Sequence, residues 1–155
     1  RSDYLSKVES VRKLVPDIGL SSDIMVGFPT ETEADFADTL ELVERVEYNN
    51  LFTFIYSRRS GTPAAEMPQL DYKTKQARID RLIKKQFEIS KSVADRAVGQ
   101  TVEVLIAEVK DGKAFGKTES DAAVTLGADG VEPGEFVKVK IVSSVNANLT
   151  GEVVK

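Results

Sequence analysis

The chain contains no cysteine, no histidine and no tryptophan, and only two methionines. Without cysteine there is no disulfide and no thiolate-held iron–sulfur cluster; without either Cys or His the usual zinc ligand sets are excluded. The lack of histidine also removes the commonest proton shuttle near neutral pH and every Ser–His or Cys–His relay. No residue is therefore assigned as catalytic and none as a metal ligand; redox or metal chemistry must come from outside these residues. No apolar run approaches the length of a membrane span and no signal-peptide pattern is visible, so no membrane partner and a cytoplasmic location are expected. The chain opens on Arg1 rather than Met, which reads as a natural N-terminus lying further upstream. The net charge of −4 argues against a surface dominated by basic residues. At 155 residues there is room for one ordinary domain or two small ones.

What is present is organised around residues 23–36. Ile24, Met25 and Val26 form a short apolar run that predicts a strand buried on both faces. Gly27 and Pro29 end it, and Thr30 with Glu33 matches a capping box that should open a helix within a residue or two. Phe36, Leu40, Val43 and Val46 mark that helix's apolar face, with Glu41 and Arg45 as a solvent-side pair. Before the strand, Tyr4, Leu5, Val8, Val11, Leu14 and Val15 recur at helical spacing behind a Ser2 or Asp3 cap. Residues 51–56 predict a second buried strand, giving a parallel βαβ unit whose strand ends lie at one carboxyl edge, where open α/β sheets bind ligands. Arg58 and Arg59 follow that strand; forked guanidinium donors suit a carboxylate or phosphate, and equally stand as solvated loop residues.

These residues carry a family resemblance. Val26-Gly-Phe-Pro-Thr-Glu-Thr-Glu33 with Asp35-Phe36 resembles the strand–turn–helix late in the radical-SAM domain of tRNA methylthiotransferases, with Thr30 where that family usually has Gly. Tyr56-Ser57, Arg59 and Gly61-Thr-Pro-Ala64 resemble the Tyr-Ser-Pro-Arg-Pro-Gly-Thr-Pro-Ala stretch of the tRNA-modifying branch; relatives acting on a ribosomal protein carry two Glu before the Gly-Thr. The resemblance implies a cofactor-binding edge at Val26, Gly27, Phe28, Pro29, Glu31, Tyr56 and Arg59.

Residues 61–71 read as a linker and 72–97 as a long helix. Ile79, Leu82, Ile83, Phe87, Val93 and Ala97 fall on or near one face, while Lys73, Lys75, Arg78, Arg81, Lys84 and Lys85 cover much of the rest, with Asp80 supporting Lys84. Such a helix could track a phosphate backbone or serve as a soluble surface. From Gln100 the period becomes two. Val102, Val104 and Ile106 alternate with Thr101, Glu103 and Leu105, Asp111-Gly112 marks a hairpin, and about five short strands predict a small closed or partly closed barrel. Phe136 is expected in its core with Val137, Val139 and Ile141.

Residues 98–104, Gly116-Lys-Thr118, Gly134 with 137–141, and Leu149 with Gly151 resemble the TRAM domain, an RNA-binding barrel of such enzymes. From Val98 onward six lysines face nine carboxylates, a net charge of −3. RNA binding would therefore need lysines concentrated on one face, and Lys138 and Lys140 share a strand face by spacing. Lys117 and Thr118 complete the implied RNA-binding set.

The fold class read from the sequence is thus α/β followed by all-β. Residues 1–97 would be a partial radical-SAM (β/α) barrel segment, and residues 98–155 a five-stranded OB-like TRAM barrel. The implied full-length enzyme uses S-adenosylmethionine and two 4Fe-4S clusters to methylthiolate an isopentenylated adenosine beside a tRNA anticodon, with the anticodon stem-loop as partner. This stretch alone binds no cluster and should be inactive. The alternatives are a non-catalytic RNA-binding or adaptor module, and the ribosomal-protein-modifying relative. An unpaired strand edge at Ile24 or Phe52 also predicts self-association.

Overall fold

The computed structural model describes residues 1–154; Lys155, assigned above to the barrel domain, lies outside them. Helix α1 (Ser2–Leu14) leads to strand β1 (Ser21–Val26), helix α2 (Glu33–Val46) and strand β2 (Asn50–Ile55). The strands pair in parallel, Ser21 opposite Asn50 through Val26 opposite Ile55. A short helix α3 (Pro63–Glu66) interrupts the expected linker, because Pro63 supplies a preset φ at the first helical position. Helix α4 (Tyr72–Arg96) follows, capped by the Asp71 side chain.

The helices cover one side of the two-stranded sheet. Phe36, Val43 and Val46 of α2, Leu82 of α4 and Val26 of β1 are fully buried there, with Leu5, Val8, Ile79 and Ile89 around them. Each such side chain contributes about 1.5–3 kcal/mol by leaving water. The other side is bare: Met25, Phe52 and Phe54 are each more than half exposed. The expectation of strands buried on both faces is corrected here, since alternation turns every second side chain away from the only layer of helices among the described residues.

Other expectations shift locally. The capping box is Thr32 with Asp35, not Thr30 with Glu33. The Thr32 hydroxyl accepts from the Asp35 N–H at 3.1 Å, and the Asp35 carboxylate accepts from the Thr32 N–H at 2.8 Å. That hydroxyl holds the Asp35 carboxyl below its ordinary range. Helix α1 has Arg1 at its N-cap without a side-chain cap. Glu41 pairs with Arg1 at 2.8 Å rather than with Arg45, because the Arg1 guanidinium reaches both Asp38 and Glu41.

Helix α4 departs most from its expected face. Ile83 and Phe87 are half exposed, whereas Arg78 and Gln86 are buried. Arg78 Nη1 donates to the Glu31 carboxylate at 2.6 Å and to the Glu31 carbonyl at 2.9 Å. Gln86 Nε2 donates to the Tyr48 carbonyl at 2.7 Å. Both polar groups therefore satisfy loop backbone that the sheet leaves unpaired. Arg81 and Lys85 bond Glu33 and Glu44, and Lys75 reaches the Tyr56 carbonyl, so four of the six basic residues counted on the helix surface are engaged internally.

Beyond α4, β3 (Thr101–Lys110), β4 (Lys113–Thr118), β5 (Ala123–Gly127), β6 (Phe136–Val145) and β7 (Asn148–Val153) close a barrel in the order β3-β4-β5-β7-β6. Numbered from the first barrel strand this is 1-2-3-5-4. All pairings are antiparallel except the short β5–β7 contact. Register breaks after Ile106 and Ile141 bend the two longest strands, as a barrel this small requires. Val104, Ile106, Ala114, Val124, Leu126, Val139, Ile141 and Leu149 fill the interior, and Ala94 of α4 joins them. Gly116 is obligatory: a Cβ there would lie 2.5 Å from the Leu105 carbonyl oxygen. The helix is tied to the barrel where Gly99 N–H donates to Ile141 O at 2.8 Å and Ile141 N–H to Gln100 O at 2.9 Å.

Two stability outcomes are expected. Arg78→Ala leaves the buried Glu31 carboxylate without its counter-charge, held only by the Gly27 N–H, and should cost about 3–5 kcal/mol; in urea unfolding, a loss below about 1 kcal/mol would contradict this. In the β6–β7 turn, Ala147 sits at φ 66° next to Asn146 at φ 50°, a left-handed conformation that glycine takes freely. Ala147→Gly should raise stability by about 1 kcal/mol, read as an upward shift in thermal midpoint.

Candidate functional site

Two surfaces collect the residues singled out by sequence. The first is the carboxyl edge of the β1–β2 sheet. Val26, Gly27, Phe28, Glu31 and Tyr56 come together there. Gly27 has φ 80°, and its N–H donates to the Glu31 carboxylate at 2.8 Å. That carboxylate is the one Arg78 holds, so Glu31 faces inward and fixes the turn. A Cβ on Gly27 would meet Lys75 Cγ at 2.7 Å. The Phe28 ring stands edge-on to Tyr56, centroids 5.3 Å apart. Lys75 Nζ lies 5.3 Å from the Tyr56 ring centroid and 3.4 Å from its carbonyl oxygen. Helix α4 thus grips both strand ends through Arg78 and Lys75.

The Tyr56 hydroxyl is buried and without a hydrogen-bond partner among the described residues. Beside it a cleft of about 410 Å³ is lined by Ile55, Tyr56, Ser57, Leu70, Tyr72 and Lys75. Pro29 lies in the Gly27–Glu31 turn. Arg59 is not brought to the edge: it is exposed in the loop after Tyr56, where its carbonyl accepts from the Thr62 hydroxyl at 2.8 Å. The edge offers an exposed Phe28 ring and one unfilled buried hydroxyl, which suits an uncharged, hydrogen-bonding ring system.

The second surface is the outside of the barrel. Lys138 and Lys140 are exposed on one face of β6, as their spacing predicts. Each faces a carboxylate across the ladder, Lys138 opposite Glu103 on β3 and Lys140 opposite Glu152 on β7. Lys117 is exposed on β4 and pairs with Asp121 at 2.6 Å. The Thr118 hydroxyl is occupied in the β4–β5 turn, where it accepts from the Ala122 N–H at 3.1 Å. Phe136 is two-thirds exposed, not core. Its phase explains the correction: Val139 and Ile141 point inward, so Phe136, Lys138 and Lys140 point outward together.

The sequence offers Phe115 as one of the barrel's two candidate stacking aromatics, with Phe136, and leaves Lys113 unassigned. Along β4 Lys113 and Phe115 alternate with Ala114 and Gly116, which are buried, so Lys113, Phe115 and Lys117 share the outer face. The signal was available in Lys-Ala-Phe-Gly-Lys, where small residues alternate with large ones. Leu105 and Phe136 extend this face laterally, since Lys117, Leu105 and Phe136 are register partners in turn.

Residues 95–154 match the family model of the TRAM domain. Over 159 aligned positions covering all of this chain, it is 41% identical to the tRNA-2-methylthio-N(6)-dimethylallyladenosine synthase of Acetivibrio thermocellus, spanning 33% of that protein. The synthase of the same name from Alkaliphilus oremlandii is also 41% identical, with 34% of it covered, and that of Aquifex aeolicus is 38% identical, with 36% covered. The chain therefore spans about a third of the length of the curated relatives it matches. By sequence, the chain is similar over its whole length to the C-terminal part of the tRNA-2-methylthio-N(6)-dimethylallyladenosine synthases, and residues 95–154 match the TRAM domain.

Proposed function

We propose that this chain is the tRNA-engaging part of a methylthiotransferase, in which the sheet edge borders S-adenosylmethionine and the barrel holds tRNA at its anticodon stem-loop. The carrying observation is that the match to the synthases extends across both the α/β part and the closed barrel. On this reading residues 1–97 close a radical-SAM (β/α) barrel and residues 98–155 are the RNA-binding domain. The setting is cytoplasmic.

The residues at the edge fit part of an S-adenosylmethionine site. The exposed Phe28 ring would stack on the adenine, Gly27, packed against Lys75, would hold the turn beneath it, and the unfilled Tyr56 hydroxyl would find a partner. Glu31 acts through Gly27 rather than by contact, and Arg59 would reach the site only from its loop. When bound, the cofactor supplies the methyl-donor and radical chemistry of the implied reaction. The clusters do not fit this stretch: with no cysteine it has no thiolate to hold one, and no step is assigned to them here.

On the barrel, Lys117, Lys138 and Lys140 provide phosphate contacts against an unfavourable total charge, with Thr118 holding the turn beside them. Binding to a tRNA anticodon stem-loop should therefore be weak and fall steeply with salt, because counterion release drives it. Lys138→Ala with Lys140→Ala should weaken binding and flatten the salt slope by up to about two units. Glu152→Gln, which removes the carboxylate opposite Lys140, should strengthen it. Titrations at several salt concentrations test this; salt-independent binding, or none, would contradict the reading.

The bare face of the sheet gives a second expected outcome. Met25, Phe52 and Phe54 lie next to unpaired strand edges, which favours association between chains. Light scattering over a concentration series should show mass rising with concentration, and Phe52→Ser with Phe54→Ser should suppress the rise. A strictly monomeric wild type would count against it.

A further inference from the structure

We propose that the outer face of β4 and β5 is a stacking platform for an unpaired RNA base, centred on Phe115 and flanked by Lys113 and Lys117. The proposal deepens the tRNA reading above by naming the form of RNA that the barrel takes. It rests on what the two strands display outward. On β4 these are Lys113, Phe115 and Lys117, about 6.7 Å apart in succession. Their register partners on β5 are Gly127, Thr125 and Ala123. Small neighbours on that side leave the Phe115 ring accessible, and it is 39% exposed. An aromatic between two cations, beside a low wall of small residues, can stack a base while its flanking phosphates meet the lysines.

The charge on this side is mixed, with Glu108 of β3 the register partner of Phe115, while Glu103 and Glu152 stand opposite Lys138 and Lys140 on β6. Outward positions of β5 carry no charge, and the β3–β4 turn adds Lys110 beside Lys113. Neither Lys110 nor Lys113 has an ion-pair partner among the described residues. The strand order 1-2-3-5-4 makes β4 and β5 the second and third strands of an OB-type barrel, and the β3–β4 turn its first loop. OB-folds present oligonucleotide ligands to this pair of strands and this loop. A paired RNA helix keeps its base faces stacked internally, so an exposed phenyl ring gains from a base only where the strand is open. Leu105 and Phe136, 40% and 67% exposed, continue the apolar surface for a neighbouring base.

The chain has no tryptophan, so Phe115→Trp installs a single fluorescent reporter at the centre of the platform. Titration with an unpaired RNA oligonucleotide should quench it saturably, and the same sequence annealed into a duplex should not. Phe115→Leu, which keeps apolar bulk but removes the flat ring, should weaken single-strand binding roughly 5- to 150-fold with the salt slope unchanged. Lys113→Ala should flatten that slope by about one unit. Asp121→Asn, tolerated at its φ of 64°, frees Lys117 and should raise affinity. Circular dichroism of each variant establishes that the barrel is folded. Equal quenching by duplex, or undiminished affinity in Phe115→Leu, would overturn the platform while leaving tRNA binding intact. Absence of binding by the wild type to any RNA would overturn both. Concentration-dependent quenching without RNA would make this face a protein interface instead, and would also overturn the proposal.

Discussion

One helix has to serve two cores. Helix α4, 25 residues and about 37 Å long, buries Ile79, Leu82 and Ile89 against the sheet and its helices, and Ala94 in the barrel. Its buried polar side chains are not flaws in that stripe. Arg78 and Gln86 supply donors to carbonyls and a carboxylate in loops that no ladder reaches, and an unpaired carbonyl there would cost about 1–3 kcal/mol. The sheet edge depends on this directly. Gly27 is held by Glu31, Glu31 by Arg78, and Tyr56 is covered by Lys75, so the conformation of both strand ends is set from the helix.

At its other end the same helix fixes the barrel. Gly99 and Gln100, three and four residues past the helix end, bond to Ile141, and Arg96 bonds Glu47 through both terminal guanidinium nitrogens at 3.0 and 3.1 Å. Gly19, in the loop before β1, abuts the Ser120 carbonyl so closely that a Cβ would lie 2.7 Å from it. The β4–β5 turn is therefore seated on the α/β part. The outer face of β4, which ends beside that turn, is presented in a defined orientation rather than on a loose tether.

Much of this was legible in the sequence. Period-two alternation located the barrel strands, Asp111-Gly112 located the β3–β4 hairpin, and the parallel β1–β2 pair followed from strand, helix, strand. What failed has physical causes. Phe136 reads as core by its chemistry, but its neighbours Val139 and Ile141 set the phase and place it with the lysines. Ile24-Met-Val26 reads as buried on both faces because an apolar run carries no record of whether a second layer covers it. The burial of Arg78 was invisible because its partner is 47 residues away, and a charge on an amphipathic helix reads as solvated unless the fold is known. The capping box slipped by two residues because Thr30 and Thr32 both offer a hydroxyl three residues before a carboxylate, and only the backbone decides between them.

The central claim is that the barrel engages RNA through the outer face of β4 and β5, with the α/β part supporting it from behind. Hydrogen–deuterium exchange of the chain with and without a single-stranded RNA tests that claim most directly. Protection is predicted to appear in peptides covering the β3–β4 turn, β4 and β5, with α1, α2 and the β1–β2 sheet unchanged. Protection confined to α1 or to the bare side of the β1–β2 sheet, with β4 and β5 exchanging as before, would contradict it.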